Sequence, residues 1–228
     1  IGVRLVGSEM CIRDRDCRGH ATREKIAQDY EIHPRAHIKL LKNQSKHSDA
    51  GPIIQNEYYI FNAKRRNDGE LEIIQCGMGA ARDFLELIKH QGLPIFNPLK
   101  VNYRDSNGDE SNTTGTNSLK NVTWNETAKQ LYNAIMWLIV LWDAKPDTPL
   151  FDFMDEVIKY KKCEPFDRKI RRVNTAIQHG GKGRTLTEMI DDYRKYNDFK
   201  NDICNFELLS DKINNMRDKD GSKIKSYF

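Results

Sequence analysis

The clearest pattern of apolar and polar positions lies in two short runs of the N-terminal half. Apolar and polar side chains alternate through residues 56–62 and again through residues 70–75, and both runs are rich in aromatic and β-branched residues. Residues 67–69, Asn-Asp-Gly, have the composition of a tight turn. The pattern therefore predicts a β-hairpin followed by a helix, with Gly77 and Gly79 allowing that helix to turn back onto the sheet.

The C-terminal half shows the 3.6-residue period of amphipathic helices. The segment up to Trp142 is apolar nearly all round, which predicts a central buried helix. Further along, Phe166, Ile170, Val173 and Ile177 share one predicted inward stripe. Helix starts are predicted by capping boxes, by a proline and by the apolar period at the following positions: Thr123 with Glu126, Thr148-Pro149, Phe166, Thr185 with Glu188, and Phe199.

Composition divides the chain at residues 105–118, which are polar throughout and predict a linker or loop. We expect an α+β fold: an N-terminal β-hairpin plus helix unit at residues 16–104, followed by a C-terminal helical bundle at residues 119–228. Residues 1–15 look like a translated sequencing-adapter read-through, so they are treated as a non-native segment. The chain would then be a truncated fragment from assembled environmental DNA.

The bulk properties exclude a membrane-spanning protein. Mean hydropathy is −0.74 and 31% of residues are charged. The most apolar run, residues 134–142, is far shorter than the roughly 18 residues needed to cross a bilayer. An odd number of cysteines, five, does not match a disulfide framework and predicts a reducing, cytoplasmic location.

Positive charge is concentrated in residues 159–184, although the chain as a whole carries only +4. Helical spacing places four basic residues on one face, and two more follow in a glycine loop. These candidate phosphate contacts are Arg168, Lys169, Arg171, Arg172, Lys182 and Arg184. They predict a nucleic-acid-associated binding protein without chemistry of its own or a cofactor. A solvated helix face and an acidic protein partner remain as alternatives.

Aromatic residues of the hairpin bear on the same function. Tyr58, Tyr59 and Phe61 would provide a stacking surface for bases if one face of the hairpin were uncovered. The other interpretation is that these rings form part of the core.

A cluster of histidines suggests an enzyme as the chief alternative. His33, His37, His47 and Asp49 are the residue types of a metal-dependent hydrolase or nuclease. Pro34 suits the first position of a helix, which would place His33 at the cap and His37 one turn further on. No catalytic motif with the spacing of a known metal site accompanies them, so no catalytic residue is assigned.

Cysteine positions suggest a zinc site that is incomplete. Cys17 and His20 have the spacing of a zinc knuckle, and Cys76 precedes the predicted helix. Over residues 56–90 the hairpin and helix resemble the second half of a treble-clef zinc finger. That resemblance implies a fourth ligand where Gly79 stands, so no metal is assigned.

Overall fold

The protein is mixed α+β, as the sequence predicts. The structure, a computed structural model, describes residue 12 and residues 17–98, 124–197 and 205–228, and these contain seven helices and a three-stranded sheet. The chain forms two compact units, Ile1–Asn97 and Pro98–Phe228. The predicted linker at residues 105–118 lies outside the described residues, and the predicted domain bounds stay a prediction.

The first unit is built on an antiparallel sheet with the strand order β1-β2-β3. The predicted hairpin and the helix after it are confirmed. The five elements are α1 (His20–Asp29), β1 (Tyr30–Lys39), β2 (Glu57–Arg65), β3 (Leu71–Gly77) and α2 (Met78–Leu87). The turn between β2 and β3 uses Gly69 at a φ of 78°, a left-handed conformation that glycine adopts without a steric penalty.

The predicted helix start at Pro34 is wrong, because this segment is strand β1. Residues 30–39 pair with β2 along their length, and the register shifts between Pro34 and Ala36. Proline cannot donate a hydrogen bond to a neighbouring strand, but an edge strand beside a bulge tolerates it. His33 and His37 therefore lie on a strand, not on one face of a helix.

The bulge in β1 sends the two ends of the strand to opposite faces of the sheet. Tyr30 and Ile32, before the bulge, belong to the core cluster that contains Phe84 of α2. Ala36 and Ile38, after it, pair with Ile60 and Tyr58 and are also buried. One extra residue reverses the alternation of side chains, so this edge strand contributes to both layers of the unit.

The hairpin aromatics are core residues, so the predicted stacking surface on the hairpin is wrong. Tyr58, Tyr59 and Phe61 are all at most 2% exposed. The Tyr59 ring stacks on His37 at 4.2 Å, and its hydroxyl donates a hydrogen bond to the carbonyl of Leu93. A strand that is buried on both faces cannot offer these rings to a base.

The glycines at the start of α2 do not have the predicted role. Gly77 and Gly79 both have negative φ, and a Cβ on Gly79 would meet nothing within 4 Å. Neither position therefore needs glycine for the chain to turn.

A charged network at one end of unit 1's sheet links the edge strands β1 and β3 through β2. Arg65 donates to Glu72 at 2.8 Å, and the hydroxyl of Tyr30 donates to the same carboxylate at 2.6 Å. The backbone N–H of Ile12 donates to the other Glu72 oxygen, and the Ile12 side chain is buried in the core cluster. The adapter origin of residues 1–15 stays a prediction.

The second unit is helical and is organised around one buried helix. Its elements are α3 (Glu126–Leu141), α4 (Pro149–Lys159), α5 (Asp167–Gly180), α6 (Leu186–Arg194) and α7 (Glu207–Asn215). Helix α3 contacts each of the other four and buries residues around its whole circumference. The predicted central helix is therefore confirmed.

The helix starts agree with the sequence at two of the predicted caps and differ at a third. Thr185 and Glu188 form the predicted capping box of α6, and Pro149 occupies the first turn of α4. At α3 the cap is Asn125, whose side chain accepts a hydrogen bond from the N–H of Ala128. The last helix, predicted from Phe199, begins at Glu207 with Phe206 at its N-cap, and Phe199 itself lies outside the described residues.

The last residues of the chain are held against α5 by one buried amide. Asn174 donates from Nδ2 to the carbonyl of Lys225 at 2.9 Å and accepts from the N–H of Tyr227 at 2.7 Å. The N–H of Leu186 donates to the carbonyl of Tyr227, which extends the contact to α6.

None of the described helices has the length and apolarity needed to cross a bilayer.

Candidate nucleic-acid interface

Helix α5 has one apolar stripe and one polar stripe. Ile170, Val173 and Ile177 are buried, as predicted. Arg168, Arg172, Thr175 and His179 recur at intervals of four, three and four residues, which places them on one common face away from the core. Packing of the apolar stripe therefore fixes the direction in which the two arginines point.

The polar stripe lines an open groove of about 570 Å³. Phe153 of α4 forms part of its wall. The lining residues are Phe153, Arg168, Arg171, Arg172, Thr175, Ala176 and His179. No carboxylate is among them, so the groove presents guanidinium groups beside an apolar ring.

Three of the six predicted phosphate contacts are paired with carboxylates. Lys169 contacts Glu156 at 2.7 Å and Arg171 contacts Asp218 at 2.7 Å. Arg184 contacts Asp192 at 2.8 Å, and Asp192 also binds Lys195. The six residues therefore do not form one continuous uncancelled surface, because tertiary packing brings acidic residues to half of them.

The pKa values of two of these carboxyl groups are lowered by their basic partners. For Asp218, the hydrogen bond from Arg171 is the main cause of the lower pKa. For Asp192, the hydrogen bond from Lys195 acts first, with a smaller effect of Arg184. Both carboxyl groups carry their negative charge near neutral pH, so they offset the charges of Arg171 and Arg184.

The remaining three cations differ in position. Within the described residues, Arg168, Arg172 and Lys182 form no ion pair. Arg168 and Arg172 line the groove, whereas Lys182 lies in the loop after α5 and does not. The groove therefore contains two arginines that form no ion pair with the described residues, and Arg171 lies beside them.

Sequence reasoning missed several residues around this groove. Thr175 and His179 were detectable, because they continue the helical spacing of the two arginines. Phe153 was not, since it comes from another helix. The prediction that Phe166 lies on the inward stripe is wrong. This residue is 76% exposed at the N-cap of α5.

The alternative histidine cluster has local structural contacts. His33 contacts Glu31 at 3.0 Å, and His37 Nδ1 contacts the carbonyl of Leu93. Asp49 accepts a hydrogen bond from the backbone N–H of Gln75 at 2.6 Å. Over the described ranges, no group of three or more His, Cys, Asp or Glu residues could hold a metal ion. The hydrolase alternative stays a prediction.

The suggested zinc ligands have similarly local surroundings. Cys17 and Cys76 are both buried and form no disulfide with the described residues, and burial raises the pKa of the Cys76 thiol. His20 contacts the carboxylate of Asp83, which also binds Arg23. The incomplete zinc site stays a prediction.

Taken together, the fold and the groove define an α+β protein with a basic helix face and an adjoining apolar wall. Residues 15–216 match the model of the family described as "Uncharacterised conserved protein UCP028583", so the chain belongs to that family. No curated protein and no solved structure matches it.

Proposed function

We propose that this protein is a nucleic-acid-associated binding protein that contacts phosphates through the groove on α5 and carries out no chemistry of its own. The supporting observation is the pair Arg168 and Arg172, which line one groove and form no ion pair with the described residues. A guanidinium group donates two parallel hydrogen bonds to a phosphate, a geometry that suits arginine better than lysine.

The length of the polar stripe favours a chain of phosphates over a single anion. Arg168 and His179 are 11 residues apart, which corresponds to about 16 Å along a helix. Arg172 and Thr175 lie between them and add further donors. A small anion would occupy only one part of this stripe, whereas a nucleic-acid backbone offers repeated charges along it.

Contact through phosphates implies weak, sequence-independent and salt-sensitive binding. Such binding has Kd values of roughly 10⁻⁴–10⁻⁶ M at physiological salt. We further propose a cytoplasmic location, because the number of cysteines is odd and Cys17, Cys76 and Cys163 form no disulfide with the described residues.

Fluorescence anisotropy with short labelled oligonucleotides, single-stranded and duplex, tests the proposal. Combined Arg168→Glu and Arg172→Glu substitution should lower affinity at least about tenfold, because two phosphate contacts become repulsive. The matched control is Lys25→Glu plus Arg82→Glu, which makes the same change in net charge at exposed positions of α1 and α2. It should change affinity less than about twofold.

Two results would contradict the proposed function. One is a wild-type protein that binds neither oligonucleotide at low salt. The other is an equal loss of affinity in the two double variants, which would assign binding to net charge and not to the groove. Binding of an acidic peptide in the absence of any oligonucleotide binding would favour the alternative of an acidic protein partner.

A further inference from the structure

A second cavity lies beside the arginine groove and has a different chemical character. It measures about 360 Å³ and is lined mainly by apolar atoms at the end of α4 and in the loop that leads into α5. Tyr160, Phe166, Val157 and Ala128 contribute to its walls, and Lys169 lies at its edge. The volume falls within the range of small-molecule and cofactor sites in proteins.

Two aromatic rings of this cavity are exposed to solvent. Phe166 is 76% exposed and Tyr160 is 50% exposed. A single exposed apolar side chain is ordinary, but two large rings that line one cavity form a contiguous patch. The Nζ of Lys169 lies 5.2 Å from the centre of the Tyr160 ring and 5.6 Å from that of Phe166. The ammonium group therefore interacts with both rings.

The loop that carries the rings is fixed by hydrogen bonds and an ion pair. The N–H of Cys163 donates to the carbonyl of Tyr160, and the N–H of Lys169 donates to that of Phe166. Glu164, in the same loop, contacts Lys212 of α7 at 2.7 Å. A site whose walls are already ordered loses little conformational entropy when a ligand binds.

The aromatic cavity and the arginine groove are neighbours along the same two helices. On α4, Phe153 lines the groove, and Val157 and Tyr160, one and two turns further on, line the cavity. From Phe153 to Tyr160 is about 10 Å along the helix. On α5, the adjacent residues Arg168 and Lys169 line the groove and the cavity respectively.

We infer that the aromatic cavity takes an unstacked base of single-stranded nucleic acid whose phosphates contact Arg168 and Arg172. This inference rests on the proposed function and adds a preference for single strands. Every base has a π-face that stacks on aromatic side chains, and the combination of such rings with a basic track is typical of single-strand binding. The bases of a duplex are stacked on one another and cannot enter the cavity.

The test compares a single-stranded oligonucleotide with a blunt-ended duplex of the same length, each in DNA and RNA form, by fluorescence anisotropy. Phe166→Ala should lower single-strand affinity about tenfold and leave duplex affinity unchanged. Phe166→Trp should retain single-strand binding, because indole also stacks on bases. Tyr196→Ala is the matched control, since Tyr196 is 72% exposed but does not line the cavity.

The same experiment separates failure of this inference from failure of the proposed function. If Phe166→Ala binds single strands like wild type while Arg168→Glu plus Arg172→Glu loses both ligands, the base site is refuted and the phosphate groove survives. If wild type binds neither ligand, both proposals fail. A tyrosine-phosphorylated peptide that binds through Phe166, when single strands do not, would also overturn the inference.

Cys163 offers a second measurement that needs no substitution. Its thiol is exposed and lines the cavity. A saturating single-stranded oligonucleotide should slow alkylation of Cys163 by iodoacetamide at least about threefold, as followed by mass spectrometry of its peptide, whereas the duplex should not. Equal alkylation rates with and without the single strand would overturn the inference.

Discussion

Glu156 of α4 and Lys169 of α5 form an ion pair with 2.7 Å between Oε1 and Nζ. The pair lies where the aromatic cavity adjoins the arginine groove, because Glu156 and Lys169 line the cavity and Arg168 lines the groove. It has two consequences. It links two helices, and it offsets the charge of Lys169 at the edge of the cavity.

Release of Lys169 should strengthen nucleic-acid binding. We expect Glu156→Gln to raise single-strand affinity about two- to fivefold at low salt, because the ammonium group becomes available to a phosphate. The pair is partly exposed, so the free energy of unfolding should change by less than about 1 kcal/mol. Anisotropy titration and urea unfolding measure the two quantities. Glu24→Gln, an exposed carboxylate of α1, is the control, and an equal effect of both variants would assign the gain to net charge.

Gly180 should be intolerant of a side chain because of Trp142. A Cβ at Gly180 would lie 2.6 Å from two carbons of the Trp142 indole ring. We expect Gly180→Ala to lower the free energy of unfolding by about 1–3 kcal/mol. All three tryptophans belong to the second unit, so tryptophan fluorescence during urea unfolding reports the effect there.

A second glycine provides the control for this prediction. Gly79 in α2 has nothing within 4 Å of the corresponding Cβ position. Gly79→Ala should stabilise the first unit by about 0.5–1 kcal/mol, because alanine loses less backbone entropy in a helix. Hydrogen exchange of first-unit peptides, followed by mass spectrometry, measures that effect. The steric account would be wrong if Gly180→Ala were neutral, or if adding Trp142→Leu to it did not reduce its cost.

Glu72 should make the stability of the first unit sensitive to acid. Burial acts to raise the pKa of Glu72, but hydrogen bonds from Tyr30 and Arg65 outweigh it and hold the pKa below the ordinary value of 4.5. A lowered folded-state pKa stabilises the fold above about pH 4.5 and loses this contribution as the pH falls through the folded-state value. Glu72→Gln should therefore cost about 1.5–3 kcal/mol near neutral pH.

The difference between wild type and Glu72→Gln should shrink as the pH falls below 4.5 through the lowered folded-state pKa, because the carboxylate of the wild type becomes protonated. Hydrogen exchange of first-unit peptides, followed by mass spectrometry for both proteins at neutral and at acidic pH, measures it. Glu70→Gln is the matched control, since Glu70 also contacts Arg65 but its side chain is 59% exposed. This substitution should lower the free energy of unfolding by less than about 1 kcal/mol. A pH-independent difference between wild type and Glu72→Gln would contradict the role of the charge.

The sequence predicted those parts of the fold that depend on residues close together in the chain. The hairpin follows from alternation on both sides of Gly69, and the capping box of α6 follows from Thr185 and Glu188. Strand β1 was missed because the bulge at Arg35 interrupts its pairing and Pro34 suits a helix start equally well. The partner strand that decides between the two interpretations lies beyond the reach of a local pattern.

The candidate site was only partly predictable for the same reason. Helical spacing placed Arg168 and Arg172 together, because their separation is local. The neutralisation of Arg171 was not visible, since Asp218 is 47 residues further along the chain and reaches it only through tertiary packing. The exposure of Phe166 depends likewise on where the loop after α4 ends.

The salt dependence of single-strand binding tests the phosphate groove most directly. Each phosphate contact adds about 0.7 to the slope of log affinity against log salt concentration for single strands. Combined Arg168→Ala and Arg172→Ala substitution should therefore reduce the magnitude of the slope by about 1.4, while Lys25→Ala plus Arg82→Ala leaves it unchanged. Equal slopes for wild type and the arginine variant would contradict the account.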